Sequence, residues 1–247
     1  MADFSPPVMI QPHRQATIRG PTFIRLLARL CDMDVRASGE SLSDRLSSWL
    51  DWKQSLVLSS ALDDEPPPVD DDGPAFDSAE EAECARMRAT LAESMVQTAA
   101  LQRGNAKAFA ADDYTPFRQH YLGRQRAMQA ATGALRGRLR DMLARRSGDM
   151  ARLAEVDAAL ERALSPREQS LLARVPGLLG DHFDRLCRAS RQASNHPPGA
   201  DDAWRGIFRN DMRSVLLAEL DVRFQPVEAL LAALRTHQQE SHVQTPS

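Results

Sequence analysis

The side chains that come closest to a metal site lie late in the sequence: Asp181, His182, Asp184 and Cys187. Imidazole, thiolate and carboxylate groups are all ligands that zinc accepts. The surrounding residues have the pattern of a helix, and on a helix His182 and Cys187 point about 140° apart, at about 100° per residue. Because the two side chains do not converge on one ion, we predict no metal site and a structural or surface role for this group.

The common sequence motifs of catalysis are missing from the chain. It has no glycine-rich phosphate loop, no Gly-x-Ser-x-Gly turn and no His-Glu-x-x-His motif. Its carboxylates crowd one proline-rich segment or stand at helical spacing from arginines, so solvation or ion pairing accounts for them. We therefore predict a non-enzymatic protein with no catalytic residues and no cofactor. An enzyme whose site is assembled from scattered residues is kept as a third hypothesis.

Arginine is concentrated in one stretch of the chain. Residues 118–146 contain eight arginines and one acid, a formal charge of +7, whereas residues 63–83 contain ten carboxylates and no Lys or Arg. Helical spacing places several of the arginines on neighbouring faces, which form the candidate interaction face: Arg124, Arg126, Arg138, Arg140 and Arg145. Such a stripe could follow nucleic-acid phosphates. Few aromatic residues accompany it, so a solvated or internally neutralised face is favoured, and nucleic-acid binding is the alternative.

The arginines belong to a segment with an unbroken heptad pattern. Apolar residues that recur every three and four positions form one face of a helix and pack against other helices. The candidate helix-packing seam consists of Tyr114, Tyr121, Met128, Leu135, Leu139, Met142, Leu153, Val156 and Leu160. The pattern predicts a long helix, or two nearly in line, in a coiled-coil-like hairpin. At Ser147-Gly148-Asp149 continuity stays open, and a break with Gly148 as C-cap and Asp149 as a new N-cap is favoured.

Composition predicts the fold class. Ala, Leu and Arg are abundant, whereas Ile and Val are scarce, which favours an all-α fold. Three widely spaced cysteines fit reduced thiols in a cytosol. Neither a secretory signal nor an apolar run of membrane-spanning length is present, so we expect a cytoplasmic protein without membrane insertion.

Proline and charge divide the chain into an elongated helical bundle with appended segments. We predict a flexible arm, an N-terminal helical hairpin, an acidic Pro-rich linker, the bundle and a flexible tail, over residues 1–20, 21–62, 63–77, 78–236 and 237–247 respectively.

Three further helix boundaries follow from capping residues and prolines. Ser41 with Asp44 predicts one helix from Ser41 to about Leu62, and Ser165 followed by Pro166 predicts a helix start. Pro226 predicts the division of the last helical region into two helices.

Three short segments carry a resemblance to a known family: Trp49-Leu50-Asp51-Trp52, residues 116–122 (PFRQHYL) and residues 216–220 (LLAEL). With them the chain resembles an uncharacterised family of all-α proteobacterial proteins of about this length, over residues 19–235. The resemblance implies no activity, cofactor or catalytic residue that could be transferred to this chain. Members of the family are often encoded beside envelope proteins, so the resemblance implies an envelope assembly as the partner.

The function that we predict from these patterns is that of a cytoplasmic helical adaptor or scaffold. Its arginine-rich helix would dock a neighbouring helix, a partner protein or a second copy, in connection with an envelope assembly. No feature of the sequence names the partner or the oligomeric state.

Overall fold

The computed structural model describes residues 22–33, 39, 41–63, 76, 78–104, 113–193 and 203–243. Within these ranges the chain forms helices and no strand, so the predicted all-α class is confirmed. The predicted arm and nearly all of the predicted linker lie outside them. The helices are α1 (Thr22–Leu30), α2 (Leu42–Trp49), α3 (Trp52–Asp63), α4 (Ser78–Gly104), α5 (Thr115–Leu143), α6 (Gly148–Leu172), α7 (Val175–Ala193) and α8 (Ala203–Val243).

Two helices stand where one was predicted between Ser41 and Leu62. The backbone amide of Asp44 donates to the Ser41 hydroxyl at 3.1 Å, as expected for the cap of α2. A second capping pair then starts α3: the Asp51 carboxylate accepts from the Gln54 amide at 2.7 Å, and the Gln54 side chain accepts from the Asp51 amide at 2.9 Å. Because Leu50 between them is extended, the helix restarts rather than continues.

The helices of the predicted N-terminal hairpin, residues 21–62, make their main contacts with different helices of the bundle. Helix α1 packs against α7 and α8, whereas α3 packs against α6. The Gln54 side chain also donates to the Ala163 carbonyl of α6 at 3.4 Å, close to the limit for a hydrogen bond. The helices of residues 21–62 therefore cover different sides of the bundle.

The break between α5 and α6 occurs at the favoured place but with different caps. Ser147 is the N-cap of α6, and its hydroxyl accepts from the Met150 amide at 3.3 Å. Gly148 is the first residue of α6 rather than a C-cap, and Asp149 lies in its first turn. A serine in extended conformation can accept from the orphan amides of a helix start, which explains why it takes this position.

Pro166 and Pro226 both lie inside helices, so neither marks the predicted boundary. An interior proline costs about 3 kcal/mol relative to alanine because it removes one backbone donor and crowds the preceding turn. Tertiary packing offsets this cost, since α6 packs against α3 and α5, and α8 packs against α4 and α5. The single helix α8 continues to Val243, so residues 237–243 are helical where a frayed tail was expected.

Helices α5 and α8 are the central pair, and they run parallel. The rings of Tyr114 and Phe208 lie 6.0 Å apart, and further along both helices Gln125 donates to Glu219 at 3.1 Å. Helix α6 runs antiparallel to α5, because Gln125 near the start of α5 donates to the carbonyl of Leu172 at the end of α6.

Helix α4 covers the central pair in the antiparallel direction. Arg88 pairs with Asp221 at 2.7 Å, while Glu81, about two turns earlier in α4, bonds to Arg235 further along α8. The long helices thus enclose one apolar core that extends over most of the described chain.

An aromatic cluster joins the start of α5 to α7 and α8. Phe208 is fully buried, and its ring lies 5.1 Å from Phe117 and 5.1 Å from Phe183. The Tyr114 hydroxyl donates to the Pro176 carbonyl at 2.6 Å, which fixes its ring against Gly180.

Gly180→Ala should destabilise the protein although alanine is the better helix former. An added Cβ would lie 3.0 Å from the Tyr114 ring, and that ring is held by its hydroxyl. We expect a net loss of about 1–2 kcal/mol in urea unfolding, an overpacking cost that exceeds the gain of about 1 kcal/mol in helix propensity.

Gly177→Ala is the matched control on the same helix. A Cβ at Gly177 meets nothing within 4 Å, so this variant should be neutral or more stable. Equal effects of the two substitutions would contradict the assigned contact between Gly180 and Tyr114.

Candidate interaction site

The seam predicted for α5 lies on its buried face. The buried residues of α5 are Tyr121, Gln125, Met128, Thr132, Leu135, Leu139 and Leu143. Tyr114 and Met142, the first and last seam residues before the break between α5 and α6, are half-buried. This face packs within the chain, against α4, α6, α7 and α8, and is therefore not a surface for an external partner.

The seam does not continue into α6 as predicted. Leu153 is 38% exposed, and Val156 and Leu160 are only half-buried. The buried positions of α6 are instead Ala151, Ala154, Ala159, Ala163 and Leu172. The turn of residues 144–147 resets the rotation of the helix, so a heptad counted across the break selects the wrong face.

A buried polar cluster lies where the central helices meet, and Glu219 is its centre. Glu219 is 0% exposed, and its carboxylate accepts hydrogen bonds from the Tyr121 hydroxyl at 2.6 Å and the Gln125 amide at 3.1 Å. Arg223, one turn later in α8, donates to the same carboxylate at 2.9 and 2.8 Å. The charge is thus paired and hydrogen-bonded, which a buried carboxylate requires.

In the hydrogen bond between Tyr121 and Glu219, the Tyr121 hydroxyl is always the donor. Burial first, and then the charge of Glu219, raises the pKa of Tyr121 well above its ordinary value. The hydroxyl therefore stays protonated and donates. Residue spacing in the sequence does not predict a role for Glu219. Its position as a single acid within the apolar run 216–220, four residues before Arg223, is the signal that could have identified it.

Arg138 and Arg140 of the predicted interaction face have acidic partners within the chain. Arg140 binds Glu161 at 2.5 Å and Asp157 at 3.4 Å, and Arg138 binds Glu83 at 2.7 Å. Arg136, which was not in the predicted set, joins Asp157 at 2.6 Å. Much of the positive charge of α5 is therefore neutralised by α4 and α6.

The other three predicted arginines lie apart from those ion pairs. Arg126 and Arg145 are exposed, and Arg124 is half-buried. Arg138 and Arg145 both line a pocket of about 310 Å³ between α4 and α5, with acidic Glu80, Glu83 and Asp141 in its wall. The five arginines thus do not form one continuous free surface.

His120 should give the protein a pH-dependent stability term. Burial first, and then the charge of Arg124, lowers the pKa of His120. The unfolded chain therefore binds the proton more readily than the folded chain. The contribution of His120 to the free energy of unfolding is present above the unfolded pKa of about 6.5, and it is lost as pH falls through the lower folded pKa.

Urea unfolding of wild type and His120→Gln between pH 7.5 and 5 measures this term. The difference between the two proteins should change by at most about 1.4 kcal/mol per pH unit, the limit for one proton. Parallel pH profiles would contradict the assignment. His237→Gln in the last part of α8 is the matched control.

The predicted absence of a metal site at His182 and Cys187 was argued from their divergence, and the structure places both in other contacts. The Nε2 atom of His182 lies 2.9 Å from Asp211 of α8, and Cys187 is buried. Within the described part of the chain, no group of three or more His, Cys, Asp or Glu side chains is arranged to hold a metal ion.

A cleft of about 610 Å³ opens between α5, α6 and α8, with Trp49 of α2 at its edge. Its polar lining includes Arg136, Arg167 and Arg223, while Leu171 and Val222 contribute apolar surface. The Arg167 guanidinium lies over the Trp49 ring, 4.9 Å from its centroid.

Helix α3 carries apolar side chains that the fold leaves uncovered. None of its residues is buried. Trp52 is 81% exposed, and Leu56, on the same face one turn later, is 57% exposed. Val57 and Leu62 are also exposed. Such a group of large apolar side chains on one short helix is typical of an interaction surface.

Residues 9–236 match a protein family described as Protein of unknown function (DUF3348). The chain belongs to this family. The match covers all the helical core, from α1 to most of α8, and is consistent with the resemblance stated from the three short segments. No curated protein and no solved structure matches the chain significantly.

Membership of DUF3348 therefore brings no assigned activity or ligand to the geometry. Among the helices that the structure describes, none is both long enough and apolar enough to cross a membrane.

Proposed function

We propose that this protein is a non-enzymatic helical adaptor or scaffold that acts in the cytoplasm through protein–protein contacts. The exposed apolar surface of α3 is the observation that carries the proposal. Burial of a side chain such as Trp52 or Leu56 at an interface contributes about 1.5–3 kcal/mol, so a few such residues support a stable contact.

In this proposal the arginine-rich helix α5 supports the bundle, whereas the sequence predicted that it would dock a partner. Helix α5 packs against α4, α6, α7 and α8 of its own chain, so it forms the rigid support of the bundle. Contact with other proteins is assigned to α3 at the periphery. The family resemblance favours a partner in a bacterial cell-envelope assembly.

Light scattering coupled to size exclusion, together with affinity purification from cells, tests the proposal. We expect the wild type to self-associate or to retain a specific partner, and the double variant Trp52→Ala and Leu56→Ala to lose that association. Ile207→Ala, which removes a similarly exposed side chain from α8, is the matched control. A strictly monomeric wild type that retains no partner would contradict the adaptor function.

Nucleic-acid binding is the competing proposal, and the exposure of Arg126 and Arg145 supports it. Replacement of both by Ala would then weaken binding and lower the salt slope by up to about two units. The ion pairs of Arg138 and Arg140 weigh against it. If the protein causes no electrophoretic mobility shift of DNA or RNA at low salt, this proposal is eliminated and the adaptor function stays in place.

A further inference from the structure

The cleft between α5, α6 and α8 has the size and lining of a binding site. Its volume of about 610 Å³ lies within the range of about 300–1,000 Å³ that is usual for ligand sites. Trp49, Leu164, Leu171, Val222 and Pro226 supply apolar contact, and Leu171 is 51% exposed. Trp49 lies three residues before Trp52 in the sequence, so this edge of the cleft is close to the exposed surface of α3.

We propose that this cleft binds a segment of a partner protein that places one carboxylate between apolar side chains. The proposal rests on the adaptor function and names the chemistry of the partner. It follows from the charges of the lining: Arg136 and Arg223 are bound by acidic side chains of the chain itself, whereas the recorded contact of Arg167 is with the Trp49 ring.

Arg136 and Arg167 differ in how far acidic side chains of the same chain neutralise their charge. Arg136 is paired with Asp157 at 2.6 Å and lies 3.6 Å from Glu161. Arg167 is exposed, and its guanidinium carbon lies 4.9 Å from the centroid of the Trp49 ring. A guanidinium held over an aromatic ring remains charged and retains N–H donors that can bind a carboxylate.

Arg223 provides a second donor, fixed in the wall of the cleft. Its side chain is 8% exposed and is held by Glu219 at 2.8 Å. The Nη1 atom of Arg223 lies as far as 3.4 Å from Glu168, which also lines the cleft and is 48% exposed. This long contact is weaker than an ideal charged hydrogen bond, so a partner carboxylate can replace Glu168.

Val222 and Pro226 add apolar surface to the wall of the cleft. A bound segment can place its carboxylate against Arg167 and Arg223. Its apolar neighbours would lie against Trp49 and Leu171.

Two matched peptide arrays test the proposal on the full chain. One array has a central glutamate between randomised apolar residues, and the other has glutamine at that position. We expect binding to the glutamate array and about tenfold weaker binding to the glutamine array, equivalent to one charged hydrogen bond.

Three variants then locate the bound carboxylate. With the best peptide, Arg167→Ala should weaken binding about tenfold, and Glu168→Gln should tighten it about threefold because it removes the competing carboxylate. Arg162→Ala, an exposed arginine of α6 outside the cleft lining, should leave binding unchanged. Circular dichroism establishes that each variant is folded.

Equal binding to the two arrays, binding to neither, or equal effects of Arg167→Ala and Arg162→Ala would overturn the assignment of the cleft. A cellular partner that Arg167→Ala retains as well as wild type would also overturn it, while the adaptor function would stand. Absence of any partner or self-association would instead reject the adaptor function itself.

Discussion

Replacement of Glu219 by Ala should lower the free energy of unfolding by about 3–5 kcal/mol, because it leaves a buried charge without its partner. Arg223 has a side chain only 8% exposed and would lose two charged hydrogen bonds. The Tyr121 hydroxyl would lose its acceptor in a fully buried position. Urea unfolding monitored by circular dichroism measures the loss.

Glu219→Gln tests whether the charge or the shape of Glu219 matters. The amide oxygen can still accept from Tyr121, but the amide nitrogen cannot accept from Arg223, so we expect an intermediate loss. Asp221→Ala, two residues later, removes an exposed partner of Arg88 and should cost less than about 1 kcal/mol. Similar losses for Glu219→Ala and Asp221→Ala would show that the buried cluster is not assembled as described.

Phe208→Ala should destabilise the protein by about 3–5 kcal/mol, the usual cost of a cavity left by a buried aromatic ring. Phe208 is 0% exposed and contacts four other rings, those of Tyr114, Phe117, His182 and Phe183. Its removal would separate the start of α5 from α7 and α8. Near-ultraviolet circular dichroism should therefore report a loss of aromatic order before global unfolding.

The neighbouring residue provides the control for Phe208. Ile207 is 54% exposed on the same helix, and Ile207→Ala should change stability by less than about 0.5 kcal/mol. If the two variants were equally stable, the rotation assigned to α8 at this position would be wrong.

The buried face of α5 followed from the sequence because its signal is local. Seven-residue spacing places Tyr121, Met128 and Leu135 on one stripe whatever surrounds them, and the structure buries all three. Across residues 144–147 the same count loses its meaning, since a turn changes the rotation by an amount that no spacing encodes. Leu153 was assigned to the seam for this reason and is 38% exposed.

The helix boundaries predicted from proline were wrong because distant contacts offset the cost of a proline inside a helix. Pro166 and Pro226 have unfavourable effects that a local reading treats as decisive, yet both helices continue through them. The gain comes from α3, α4 and α5, which are far away in sequence. Tertiary packing of this kind outweighs a local preference of about 3 kcal/mol.

The candidate sites were beyond the reach of sequence spacing for a related reason. The cleft combines Trp49 of α2 with Arg167 of α6 and Arg223 of α8, residues that no periodicity connects. Similarly, the acidic partners of Arg138 and Arg140 come from α4 and α6. Local pattern could identify the arginines, but only the three-dimensional fold shows which of them are neutralised.

The parallel pairing of α5 with α8 has a consequence for how the chain is made. Tyr121 and Glu219 are separated by 98 residues, so α5 leaves the ribosome long before the helix that covers it. Until then the stripe around Tyr121 and Met128 has no α8 to shield it from water. The core must therefore close late in translation, and nascent or prematurely terminated chains should depend on chaperones to avoid aggregation.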